Sequence, residues 1–78
     1  MLIRQYKKGV NNLKQNKIKI IRKQKGITLL ELSDLTGISV GYLSHLENGS
    51  RKNPSLDVMN KIAKALNISV AEIFFIQL

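Results

Sequence analysis

Thr28-Leu29-Leu30-Glu31-Leu32-Ser33-Asp34-Leu35-Thr36-Gly37-Ile38-Ser39-Val40-Gly41-Tyr42-Leu43-Ser44-His45-Leu46-Glu47 is the stretch that decides the fold. It opens on Thr28, a good helix N-cap. Glu31, three residues on, completes a capping box in which hydroxyl and carboxylate each satisfy a free backbone N–H. Leu29, Leu32 and Leu35 then recur at helical spacing. Thr36-Gly37-Ile38 breaks the helix, and glycine supplies the positive φ that a sharp turn needs. Ser39 caps a second helix in which Leu43 and Leu46 face inward, with Ile38 and Leu43 locking the pair together. Two helices of about eight residues joined by a short glycine-containing turn form the unit that lays its second helix in a DNA major groove. The outward side chains at the start of that second helix are then free to meet base edges.

The flanking sequence extends this unit to five helices and no strand. A first helix is expected from Asn12 to Lys25, capped by Asn11 or Asn12, with Leu13, Ile18 and Ile21 on one face and Gly26 as its stop. Residues 48–54 read as a loop from their Gly, Asn and Pro content. Ser55 caps a fourth helix with Leu56, Met59, Ile62, Ala63 and Leu66 on its apolar face, and Asn67 closes it. Ser69 caps a last short helix holding Val70, Ile73 and Phe74. The fold class is all-α, with residues 12–78 as one compact domain. Residues 1–11 read equally as a basic arm or a short strand.

The chain has 78 residues, enough for one modest core. Its net charge of +8 is unevenly spread: nine of its thirteen Lys and Arg lie in residues 1–25, which hold no acidic residue, whereas residues 26–78 hold four basic against five acidic ones. A basic segment on a near-neutral domain points to a polyanion. An anionic membrane fits less well, because the basic stretch lacks the Trp or Phe of an inserting face. Without cysteine there are no disulfides or thiolate metal sites. No apolar run approaches a membrane span, and no signal-peptide core follows Met1, so a soluble cytoplasmic protein is expected. His45, the single histidine, has no companion for catalysis or metal binding. No enzyme activity, metal or cofactor is expected.

The stretch from Gly37 to Gly49 resembles the Cro/C1-type (XRE) helix-turn-helix family, whose members commonly show a Gly-Val-Ser…Tyr-Ile-Ser…Ile-Glu-x-Gly pattern. Asn53-Pro54-Ser55-Leu56, Lys61-Ile62-Ala63-Lys64-Ala65-Leu66 and Ile68-Ser69-Val70-Ala71-Glu72-Ile73-Phe74 are similar to the loop, fourth helix and fifth helix that follow in the family. The resemblance covers about residues 17–76 and implies a compact five-helix, lambda-repressor-like domain that binds double-stranded DNA. It assigns base reading to Val40, Gly41, Ser44 and His45. It assigns phosphate contact to Arg22, Thr28, Ser39, Tyr42, Asn48, Ser50, Arg51 and Lys52. It also pairs Arg22, late in the first helix, with Glu47, at the end of the third, as a partly buried ion pair that aligns the reading helix.

Two departures bear on mechanism. Most members begin the second helix with Thr-Gln, and this chain has Thr28-Leu29, so a glutamine contact to phosphate is lost. Val40 and Gly41 cannot make the bidentate hydrogen bonds that distinguish bases, which puts direct reading on His45, Ser44 and Tyr42, with DNA shape supplying the rest. Phe74, Phe75 and Ile76 cannot all face inward on one short helix. With Ile73 they are the expected dimer seam, in keeping with the family's habit of dimerising through its carboxy-terminal part. The resulting expectation is a transcriptional repressor acting as a homodimer on a palindromic operator, its recognition helices about 34–36 Å apart. The alternative is an antitoxin or adaptor whose main task is to bind a small partner protein, with DNA binding for autoregulation.

Overall fold

The computed structural model describes residues 16–75. They form four α-helices, α1 (Ile18–Gln24), α2 (Leu29–Thr36), α3 (Val40–Glu47) and α4 (Leu56–Leu66), followed by one turn of π-helix, Ala71–Phe75. Among the described residues there is no strand, and the architecture is the all-α one expected. The expected arm or strand at 1–11 and the last three residues lie outside the described residues.

α1 begins later than its expected start at residue 12; residues 12–15, including Leu13, lie outside the described residues. Lys17 holds the N-cap position and makes no side-chain cap bond; Asn16, just before it, accepts from the Ile18 N–H through its Oδ1 at 3.0 Å. At α2 the capping box forms as read. Thr28 Oγ1 accepts from the Glu31 N–H at 3.0 Å, and Glu31 Oε1 accepts from the Thr28 N–H at 2.7 Å. Ser39 and Ser55 cap α3 and α4 in the same way, through the N–H groups of Tyr42 and Val58. α4 ends at Asn67 in the left-handed conformation.

Gly37 ends α2 with φ 79° and donates its N–H to Ser33 O at 2.8 Å. Two side chains finish the turn. Ser33 Oγ donates to Ile38 O at 2.6 Å, and Thr36 Oγ1 accepts from the Ile38 N–H at 3.1 Å. A Cβ at Gly37 would meet nothing within 4 Å. Gly37→Ala should therefore cost only the backbone term, about 1–2 kcal/mol, read as a lower urea midpoint at unchanged slope.

The core gathers Ile18 from α1, Leu32 from α2, Leu43 and Leu46 from α3, Ile62, Ala63 and Leu66 from α4, and Ile73 from the terminal turn. Each large aliphatic side chain so buried contributes about 1.5–3 kcal/mol of transfer free energy. Two expected core positions are corrected. Leu35 is 62% exposed, because α2 turns Leu29, Leu32 and Thr36 inward and leaves Leu35 on the flank. Leu56 is 63% exposed, because the inward stripe of α4 begins at Val58, about 200° round the helix from it.

The dimer seam also needs correction. Ile73 is 1% exposed and belongs to the monomer core. The Lys17 N–H donates to Ile73 O at 2.9 Å, which docks the terminal turn against the start of α1 and buries its inward side chain. Phe74 is half-buried and packs on the core, and Phe75 is 63% exposed. Ile76 lies outside the described residues.

Candidate nucleic-acid interface

Val40, Gly41, Ser44 and His45 lie along one side of α3. At about 100° per residue, their mean direction is opposite that of the buried Leu43 and Leu46. Gly41 and His45 are exposed, Val40 is 37% exposed and Ser44 is half-buried. The His45 side chain makes no hydrogen bond among the described residues. Burial of one face thus presents the other, and the Ser39 cap secures the amino-terminal turn from which it projects.

Exposed polar groups flank this stripe. Thr28 and Ser39 stand at the amino-terminal ends of α2 and α3, where unpaired N–H groups and the helix dipole favour anions. Asn48, Ser50, Arg51 and Lys52 are exposed on the loop after α3. Asn48 Oδ1 accepts from the Ser50 N–H at 2.9 Å, which shapes that loop. Among the described residues neither Arg51 nor Lys52 pairs with a carboxylate. Tyr42 is half-buried, and the Arg51 guanidinium carbon sits 5.0 Å from its ring centroid.

Arg22 is deeply held. Its Nε and Nη2 donate to the two Glu47 carboxylate oxygens at 2.7 and 3.1 Å, and its Nη1 donates to Ile27 O at 2.9 Å. The two side chains are only 10% and 7% exposed. The hydrogen bonds to Glu47, partly opposed by burial, raise the Arg22 pKa above its ordinary value. Three of the five guanidinium N–H donors are engaged inside the protein, leaving two for any contact with phosphate. The pair ties the carboxy-terminal end of α3 to α1.

Asn16 adds a second tie that the sequence reading missed. Its Nδ2 donates to Leu46 O at 3.0 Å while its Oδ1 accepts from the Ile18 N–H, so one amide joins the start of α1 to the end of α3. Asn at a helix start was the available signal; its bond to Leu46, thirty positions away in sequence, had none. Ser33 and Thr36, which close the turn between α2 and α3, were also missed, although hydroxyl residues beside a turn glycine commonly bond to nearby backbone.

Residues 18–73 match the model of the Helix-turn-helix family. The chain is 39% identical over 54 residues to the HTH-type transcriptional regulator SinR of Bacillus subtilis, covering 69% of this chain and 49% of SinR. It is 35% identical over 57 residues to the HTH-type transcriptional regulator SlrR of the same organism, covering 73% of this chain and 38% of SlrR. It is 40% identical over 53 residues to the uncharacterized HTH-type transcriptional regulator y4dJ of Sinorhizobium fredii, covering 68% of each. The chain thus spans about half the length of SinR and less of SlrR. With its capped helix pair, its left-handed Gly37 turn and the Arg22–Glu47 tie, the chain belongs to the Cro/C1-type (XRE) helix-turn-helix family.

Proposed function

We infer that this chain is a DNA-binding regulator of transcription that inserts α3 into the major groove and represses by occupying a palindromic operator as a homodimer. One observation carries the reading: the stripe Val40, Gly41, Ser44 and His45 stands opposite the buried face of a capped helix that follows a left-handed glycine turn. Family membership and the transcriptional regulators among the relatives support it. Phosphates are gripped from Thr28 and Ser39 at the helix starts and from Asn48, Ser50, Arg51 and Lys52 on the loop. Arg22 acts mainly by fixing α3, with its two remaining N–H groups turned to a phosphate. Phe75, exposed beyond the core, supplies the apolar contact between protomers. No helix among the described residues is long and apolar enough to cross a membrane.

The test is selection from random duplexes, followed by anisotropy titration of the winner against scrambled DNA at several salt concentrations. A two-fold-symmetric site preferred by about 10³-fold or more is expected. Enrichment of no sequence, with affinity collapsing in salt, would leave only backbone binding and move the partner-binding alternative to first place. Sedimentation of Phe75→Ser beside the parent chain tests the seam; an unchanged association state removes Phe75 from it.

A further inference from the structure

The family resemblance implies a phosphate contact for Tyr42, and its hydroxyl is the obvious group to make it. The surroundings of the residue suggest another role. The ring is half-buried against the core, and its face carries Arg51. We propose that Tyr42 is a positioning residue, whose ring holds the Arg51 guanidinium ready for a backbone phosphate of the duplex. The proposal rests on the DNA-binding reading above and assigns the work to the ring, not the hydroxyl.

The loop after α3 is folded back to make this stack. Gly49 takes φ 85°, and the Ser50 and Arg51 N–H groups both donate to His45 O, at 2.9 and 3.1 Å. The Arg51 backbone is thereby pinned to α3. Its guanidinium carbon then lies over Tyr42 at 5.0 Å from the centroid, inside the ~6 Å range in which the ring quadrupole attracts a cation. A cation held over a ring face makes no hydrogen bond to it, so the guanidinium N–H donors stay uncommitted. Among the described residues the Arg51 side chain makes no hydrogen bond and no ion pair. Such a group is set for the fork-like contact that guanidinium makes with phosphate. A free arginine would first have to give up rotamer freedom.

The experiment is anisotropy with a mixed-sequence duplex of about two helical turns, titrated at several salt concentrations with the parent chain, Y42F, Y42L, R51A and Y42L/R51A. Y42F should bind as the parent does. Y42L should bind about two- to five-fold more weakly, with the salt slope unchanged because every charge remains. R51A should lower the slope by about 0.9, and adding Y42L to R51A should change nothing further. A Y42L deficit that persists in the R51A background would make Tyr42 a packing residue and overturn the proposal. A Y42F as weak as Y42L would place the hydroxyl at the contact and overturn it equally, as would a Y42L that matches the parent. A parent chain that binds no duplex at low salt overturns the DNA-binding reading itself. Because Y42L also loosens core packing, the stack is checked on the parent by proton NMR. The Arg51 side-chain protons should be shifted upfield by the ring, keep that shift in Y42F, and refute the stack if they sit at random-coil positions.

Discussion

Glu47→Ala should lower the unfolding free energy by about 3–5 kcal/mol, a large part of the roughly 5–15 kcal/mol that a domain of this kind possesses. The cause is what the substitution leaves behind. Both carboxylate oxygens hold Arg22, and both side chains are at least nine-tenths covered. Alanine would strand a buried guanidinium with Ile27 O as its one remaining partner among the described residues. Replacing both partners together, as in Arg22→Met with Glu47→Leu, should be far milder, because no charge is then left without solvent or counter-ion. The contrast separates the cost of breaking the pair from its net contribution. Urea unfolding followed by circular dichroism decides it; equal midpoints for Glu47→Ala and the parent would sink the burial argument. The arginine adds no pH dependence in ordinary buffers. Its pKa is raised in the folded state, so its contribution is full below the unfolded value and is lost only in strong alkali.

Local signals in this chain were readable and distant ones were not. Thr28, Ser39 and Ser55 were recognisable as caps because a cap bonds within three residues of itself. Gly37 was recognisable as the turn because glycine adopts a φ of 79° at no steric cost, whereas most side chains avoid it. By contrast, the start of α1 depends on Asn16, which also serves Leu46 O across the fold. Apolar residues near helix ends misled for a related reason. Leu35 and Leu56 carry the right hydrophobicity, but one or two steps of about 100° each decide whether such a residue meets the core, and half-buried Thr36 and Val58 lie on the inward side instead. Ile73 is a further case: one hydrogen bond from Lys17 commits the terminal turn to the monomer core. At the site, the Arg22–Glu47 pair came from family resemblance, since spacing alone cannot join residues on α1 and α3. The Tyr42–Arg51 stack was not legible either, because it depends on how Gly49 reverses the chain.

His45→Ala and Ser44→Ala should each weaken binding to the selected operator about five-fold, since a single hydrogen bond to a base edge sits at the low end of the ~1–3 kcal/mol that a bidentate pair contributes to discrimination. Val40 and Gly41 bring no hydrogen-bonding side-chain atom, so within the stripe only two residues can read donors and acceptors directly. Loss of either should relax preference at one base pair of each half-site and leave affinity for scrambled DNA nearly unchanged. Uniform weakening on all sequences would instead make that residue a phosphate contact. Gly41 tests the same surface from the opposite direction. Gly41 is the second residue of α3; alanine at a compatible position stabilises by about 0.4–1 kcal/mol, chiefly by restricting the unfolded chain, and a Cβ here would meet nothing within 4 Å in the free protein. Gly41→Ala should therefore raise the unfolding midpoint while lowering operator affinity, because the added methyl projects from the stripe that approaches the bases. Opposite signs for stability and binding are what a glycine retained for close approach requires. A variant that gains stability and binds as the parent does would mean that the groove is not approached at Gly41, and the docking of α3 would have to be turned to bring His45 and Ser44 forward without it.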